Sequence, residues 1–140
     1  MSRTRKILSV LLVVTVGALA FLYGQSEVAI SSIKFDLRKI GESVYEAHSK
    51  TGKWPARIED LEGTEYLRMP YRRSMLENGA FIVVWRQDLD PDPPANKDRI
   101  LAYDNTSLFS RLGWVWACRG DLSIERIDAE TARRLNARGR

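Results

Sequence analysis

Residues 7–50 read ILSVLLVVTVGALAFLYGQSEVAISSIKFDLRKIGESVYEAHSK, and no proline interrupts them. The first part, Ile7–Tyr23, is seventeen residues long and carries no charge. As a helix it spans about 26 Å, close to the hydrocarbon thickness of a bilayer at about 30 Å. Ile7, Leu11, Leu12, Val13, Val14, Val16, Phe21, Leu22 and Tyr23 supply its bulk, and Tyr23 suits an interfacial position. Arg3, Arg5 and Lys6 precede it with no acid among them. By the positive-inside rule the N-terminus stays in the cytoplasm and the rest of the chain crosses. The second part changes character. Ile30, Ile33, Leu37, Ile40 and Val44 recur at alternating spacings of 3 and 4, so they share one helix face for packing or interaction. Lys34, Asp36, Arg38, Lys39, Glu42 and Glu46 occupy the others, with Arg38–Glu42 and Glu46–Lys50 at ion-pairing distance i,i+4. Thr51-Gly52 supplies a stop. The spacing predicts one helix over 7–50, about 65 Å long.

Two readings of the apolar segment both export the rest of the chain. One is a retained signal anchor in the plasma (inner) membrane, with an extracytoplasmic C-terminal domain. The other is a signal peptide cleaved after Ala18-Leu19-Ala20. The anchor is preferred because the apolar run continues through Phe21, Leu22 and Tyr23. The domains are therefore 1–24, a membrane segment, and 25–140, an exported domain long enough for a core of its own.

Moving outward, the charge balance argues against a nucleic-acid partner. The chain carries 22 basic and 18 acidic residues, and the three leading cations account for most of the net +4. Beyond residue 24 the balance is 19 to 18, with no strong basic excess. The cluster Arg133, Arg134, Arg138 and Arg140 reads as a solvated helix end complementing the helix dipole. Cys118 is the sole cysteine and lies in an apolar run, so burial is expected and an intramolecular disulfide is excluded.

The remaining chain predicts a short helix opened by Pro55, with Ile58 and Leu61 on its apolar edge. An irregular stretch, Tyr66–Tyr71, surrounds Pro70. Strands come next at Phe81–Trp85, Ile100–Tyr103, Trp114–Cys118 and Leu122–Ile127. A proline- and aspartate-rich loop separates the first two. Asp128 caps a last helix from Ala129 to Ala137. The fold class is α+β: a long N-terminal helix, membrane-spanning and then amphipathic, packs on a small antiparallel sheet with a short C-terminal helix.

This order resembles type IV pilins and the pseudopilins of type II secretion. Ile40-Gly41-Glu42-Ser43-Val44-Tyr45, then Thr51-Gly52-Lys53-Trp54-Pro55 and Ile58-Glu59-Asp60-Leu61, resembles the pseudopilin pattern after the first helix. Ile100–Tyr103 followed by Gly113–Leu122 is similar to the closing hairpin of planctomycete pilin-like proteins. The prepilin cleavage pattern is absent: Gly17 is followed by Ala18–Leu22 without an acid. The resemblance implies a membrane-held structural role, with protein partners in an envelope assembly or copies of itself, and no catalysis. The alternative is an exported or anchored binding module that uses Trp114 and Trp116, which share a strand face, or the acidic loop.

Catalytic patterns are lacking. His48 is the lone histidine and lies one turn past Val44, which suits packing. There is no H-E-x-x-H, G-x-S-x-G or C-x-x-C. Asp88, Asp90 and Asp92, with Asp98 nearby, are the metal candidates, since alternating carboxylates suit Ca²⁺. The resemblance adds to this, because major pseudopilins bind Ca²⁺ in a loop. Arg119-Gly120-Asp121 reads as a hairpin turn, and Asn105-Thr106-Ser107 spells a glycosylation sequon.

Overall fold

The computed structural model describes residues 3–105 and 111–138. Helix α1 runs unbroken over Arg3–Thr51. By its contacts the chain divides into Met1–Ser32 and Ile33–Arg140. The sequence-based boundary at residue 24 reflects hydropathy. The contact boundary falls later because Val28 and Ser31 remain exposed.

The second unit is the α+β domain. Four strands, β1 (Phe81–Val83), β2 (Ile100–Asp104), β3 (Trp114–Arg119) and β4 (Ile124–Asp128), form one antiparallel sheet in the order β1-β2-β3-β4. Strand alternation gives the sheet two buried faces. On one face Phe81, Val83, Leu101, Ala102 and Cys118 meet Leu37, Ile40, Val44 and Ala47 of α1. On the other, Ile100, Tyr103, Val115 and Ala117 meet Ala129 and Ala132 of the last helix, α3 (Ala129–Arg138). A register irregularity between Ile100 and Ala102 lets Leu101 and Ala102 join the same cluster although they are neighbours. Every residue of β2 is buried, because the strand lies between β1 and β3 in a sheet covered on both faces. Leu37 and Ile40 are fully buried, each worth about 1.5–3 kcal/mol.

Several expectations are corrected. The segment after Pro55 forms only a 3₁₀ turn, Ile58–Leu61. Asp60 Oδ2 accepts the Ala56 N–H at 2.8 Å and Asp60 N–H donates to the Arg57 carbonyl, which tightens the chain locally. The stretch around Pro70 is helical: a 3₁₀ turn, Tyr66–Arg68, leads into α2, Pro70–Glu77. Proline at the first helical position removes an N–H that has no intrahelical acceptor there. Strand β4 starts at Ile124, because Leu122 has φ 66° and belongs to the turn. Strand β1 stops at Val83, and Arg86 turns the chain at φ 59°. The proline-rich loop holds a 3₁₀ turn, Pro93–Asn96. Glu46 pairs with Lys50 at 2.6 Å as the spacing predicts. Glu42, however, takes Lys39 at 2.8 Å, not Arg38. At α3, Asp128 Oδ2 caps the Thr131 N–H at 2.9 Å. That bond holds the Asp128 carboxyl below its usual range.

Candidate functional site

Among the described side chains, the apolar segment of α1 has no buried one. Every large apolar side chain described from Ile7 to Tyr23 is 57–70% exposed. The hydroxyl of Thr15 returns to the Leu11 carbonyl at 2.9 Å, so it adds no unpaired donor to the helix surface. Ser26 does the same to Tyr23 at 2.8 Å. A helix with all backbone groups paired internally and apolar sides outward is one of the two structures a bilayer accepts. Residues Leu11–Thr51 contain a stretch long and apolar enough to span a membrane.

The stripe divides along α1. Leu37, Ile40 and Val44 lie in the sheet-facing core, Ile33 packs against it, and Ile30 is half-buried. The domain's own sheet therefore covers most of the stripe. The close approach depends on Gly41. A Cβ there would stand 2.6 Å from Cys118 Sγ and 3.0 Å from Leu122 Cδ2. Cys118 is fully buried, and burial pushes its thiol pKa up to about 12. The thiol is thus held protonated and unreactive.

The upper end of this helix is tied to two loops by one phenol. Tyr45 Oη donates to the Gly120 carbonyl at 2.6 Å and accepts from Asn96 Nδ2 at 2.8 Å. Asn96 is buried and organises the acidic loop. Its Nδ2 donates to the Asp90 carbonyl, and its Oδ1 accepts the Asp90 N–H at 2.9 Å. Gly120 must be glycine for this contact, since a Cβ would sit 2.3 Å from the Asn96 carbonyl oxygen. Asp88, Asp90 and Asp92 point to solvent from this scaffold. Asp90 Oδ1 accepts the Asp92 N–H at 2.8 Å. Among the described residues no three His, Cys, Asp or Glu side chains converge as a metal site would require, so the three aspartates are not brought together. His48 stacks on Trp54 at 3.8 Å, and Tyr45 meets the same indole edge-on at 5.5 Å.

The Arg119-Gly120-Asp121 turn is fully engaged. Arg119 pairs with Glu125 and donates to the Lys97 carbonyl at 3.2 Å, while Asp121 Oδ1 accepts the Ser123 N–H at 3.0 Å. Of the sequon, Asn105 Nδ2 donates to the Gly79 carbonyl, and Thr106 and Ser107 lie outside the described residues. In the arginine cluster Arg134 pairs with Glu130, and Arg140 lies outside the described residues.

Two surfaces concentrate aromatic and cationic groups. On the α1 face of β3 and β4, Trp114 and Trp116 meet edge to face at 5.6 Å. Lys34 Nζ sits 4.1 Å from the Trp116 ring centre, and the Arg126 guanidinium 4.8 Å from that of Trp114. Such contacts contribute about 0.5–1 kcal/mol where exposed. The indoles therefore form a cation-capped ridge, not the flat platform that a shared strand face suggests. The second surface surrounds Arg72, which lies 3.7 Å from buried Asp36 and 5.0 Å from the ring of buried Tyr66. Exposed Phe35 and Tyr71 flank it. Burial raises the Asp36 carboxyl above its usual range against the pull of Arg72. Sequence reasoning missed this cluster, because Pro70 masked the helix that carries Arg72.

Compared with protein-family models, characterised proteins and solved structures, the chain matches none of them.

Proposed function

We propose that this protein is a single-pass envelope protein. Residues 7–23 anchor it in the plasma (inner) membrane, with its N-terminus in the cytoplasm and its α+β domain outside. Its role in this reading is structural: it contributes to an envelope assembly much as pseudopilins do. One observation carries the reading: every described large apolar side chain in the apolar half of α1 stands exposed, while the domain completes its core without them. So large an apolar surface is not stable in water and calls for lipid or for other chains. The three cations that open the chain orient it.

The test is fractionation and intact mass of the full chain expressed in a bacterial host. The expected protein resists alkaline carbonate extraction, and its mass includes residues 7–23. A mature chain that begins at Phe21 and is released with the soluble fraction would overturn the anchor.

A further inference from the structure

The loop between β1 and β2 reads Leu89-Asp90-Pro91-Asp92-Pro93-Pro94-Ala95-Asn96, and it holds both Asp–Pro bonds of the chain. Such a bond is intrinsically labile. The aspartate carboxyl can reach its own main-chain carbonyl carbon by closing a succinic anhydride ring, and the proline nitrogen leaves as a secondary amine. What matters here is how the fold treats the two bonds.

Buried Asn96 grips Asp90 at both main-chain groups. Its Oδ1 accepts the Asp90 N–H at 2.9 Å, and its Nδ2 donates to the Asp90 carbonyl oxygen at 2.8 Å. That oxygen belongs to the Asp90–Pro91 bond. Asn96 Nδ2 also donates to Tyr45 Oη at 2.8 Å, and Tyr45 Oη donates to the Gly120 carbonyl at 2.6 Å, so the amide is held from α1 and from the turn after β3. Asp90 Oδ1 accepts the Asp92 N–H at 2.8 Å, which fixes the carboxyl and leaves Oδ2 unheld by any described residue. Asp90 and Pro91 are exposed, so water reaches them. A donor already placed on the oxygen where negative charge develops is what accelerates acyl transfer, and a nucleophile held in place spares orientational entropy. The Asp92–Pro93 bond differs. Its carbonyl meets Asn96 Nδ2 at 3.3 Å, it is committed to the Ala95 N–H of the 3₁₀ turn at 3.1 Å, and no described residue holds the Asp92 carboxyl.

We propose that the folded chain cuts its own Asp90–Pro91 bond, with Asn96 as the donor to the oxyanion and Tyr45 as the residue that positions Asn96. Oδ2 of the protonated Asp90 carboxyl attacks the Asp90 carbonyl carbon, and the charge that builds on the carbonyl oxygen faces Asn96 Nδ2. The bond to the Pro91 nitrogen breaks, and the carboxyl proton passes to that nitrogen. Water then opens the anhydride to two carboxyls on Asp90, so the net reaction is hydrolysis by one water. The products are residues 1–90, which keep α1, α2 and β1, and residues 91–140, which keep β2, β3, β4 and α3. Strand β2 stays paired with β1 and packed in the core with α1, so the nicked domain holds together until it unfolds. The cut unlinks the second piece from residues 7–23, and it does not depend on the assembly reading.

The test incubates the purified full chain in mild detergent and mildly acidic buffer, with and without urea enough to unfold the domain, and follows intact mass with time. Unfolded, the two Asp–Pro bonds are chemically alike and should break at comparable rates. Folded, the chain is expected to yield the 1–90 and 91–140 pieces at least about tenfold faster than in urea, and in similar preference over cutting after Asp92. Asn96→Ala is expected to lose that preference, with circular dichroism confirming its fold. Asp90→Glu leaves the exposed position charged but cannot close the same ring, and is expected to stay intact there. A folded chain that cuts after Asp90 no faster than the unfolded one overturns the proposal, whether or not Asn96→Ala folds. So does a cut after residue 90 in Asp90→Glu, or a folded Asn96→Ala that keeps the preference.

Discussion

At the scale of single residues, Gly41 sets how close α1 lies to the sheet. Glycine is a poor helix former, costing about 1 kcal/mol relative to alanine in an exposed helix interior. Here that preference is reversed by packing. An added Cβ would meet Cys118 Sγ at 2.6 Å, a separation that side chains do not tolerate, with Leu122 Cδ2 only 3.0 Å away. Gly41→Ala should therefore destabilise the domain by about 1–3 kcal/mol through overpacking. A thermal melt monitored by circular dichroism reads this as a fall of several degrees. Cys118→Ala removes the clashing sulfur, so the double variant should recover part of the loss, and the coupling in that cycle identifies the cause. Equal losses in the single and double variants would place the strain elsewhere. The burial of Cys118 is legible in the sequence from its apolar run. The need for glycine at 41 is not, since it depends on Cys118 and Leu122, which lie far along the chain. Gly120 teaches the same lesson from the other side. Its tripeptide reads as a turn, yet its lack of a side chain answers to the Asn96 backbone.

At the scale of elements, hydrophobic period predicts what is long and local. The stripe from Ile33 to Val44 marks the face of α1 that the sheet covers, and Asp128 marks the start of α3. Helix α2 escapes this kind of reading. It has eight residues, opens on Pro70 and buries only Leu76. What holds it is non-local: Arg72 reaches Asp36 of α1 and the Tyr66 ring, while Arg73 pairs with Glu62 and Glu77. The Asp36–Arg72 pair is mostly removed from water and its closest N···O distance is 3.7 Å, too long for a strong hydrogen bond. Its attraction thus offsets desolvation only in part, in keeping with the raised carboxyl of Asp36. Removing one partner leaves the other charge stranded. Arg72→Met should cost up to about 3 kcal/mol, and adding Asp36→Leu should recover most of it. Urea unfolding of the three variants checks this. A double variant as unstable as Arg72→Met alone would mean that the guanidinium acts through the aromatic rings, not through the carboxylate.

At the scale of the whole molecule, the two halves of α1 answer to different surroundings. Up to Val28 the described large apolar side chains lie open. From Ile33 onward the helix enters a core shared with all four strands. The sequence shows this change of character plainly, because uncharged residues give way to a 3-and-4 spacing with charged flanks. It does not show where the folded unit begins. Val28 is apolar enough to continue either segment, and only the positions of its neighbours reveal that it stays exposed. The contact boundary makes a direct prediction. A fragment of residues 33–140 keeps Leu37, Ile40, Val44 and Ala47, so it retains the helix face that the sheet needs. It should be soluble without detergent and should unfold in a single cooperative transition by heat and by urea. A shorter fragment that starts at residue 46 would discard Leu37, Ile40 and Val44 along with the Tyr45 bridge to Gly120 and Asn96. Losing the fully buried Leu37 and Ile40 side chains alone removes several kcal/mol, about 1.5–3 for each, against a total stability of about 5–15 for a domain of this kind. The shorter fragment should therefore fail to fold. If it melted cooperatively at the temperature of the longer one, α1 would be a passenger on the sheet, and the helix stripe would have to be explained by a partner instead.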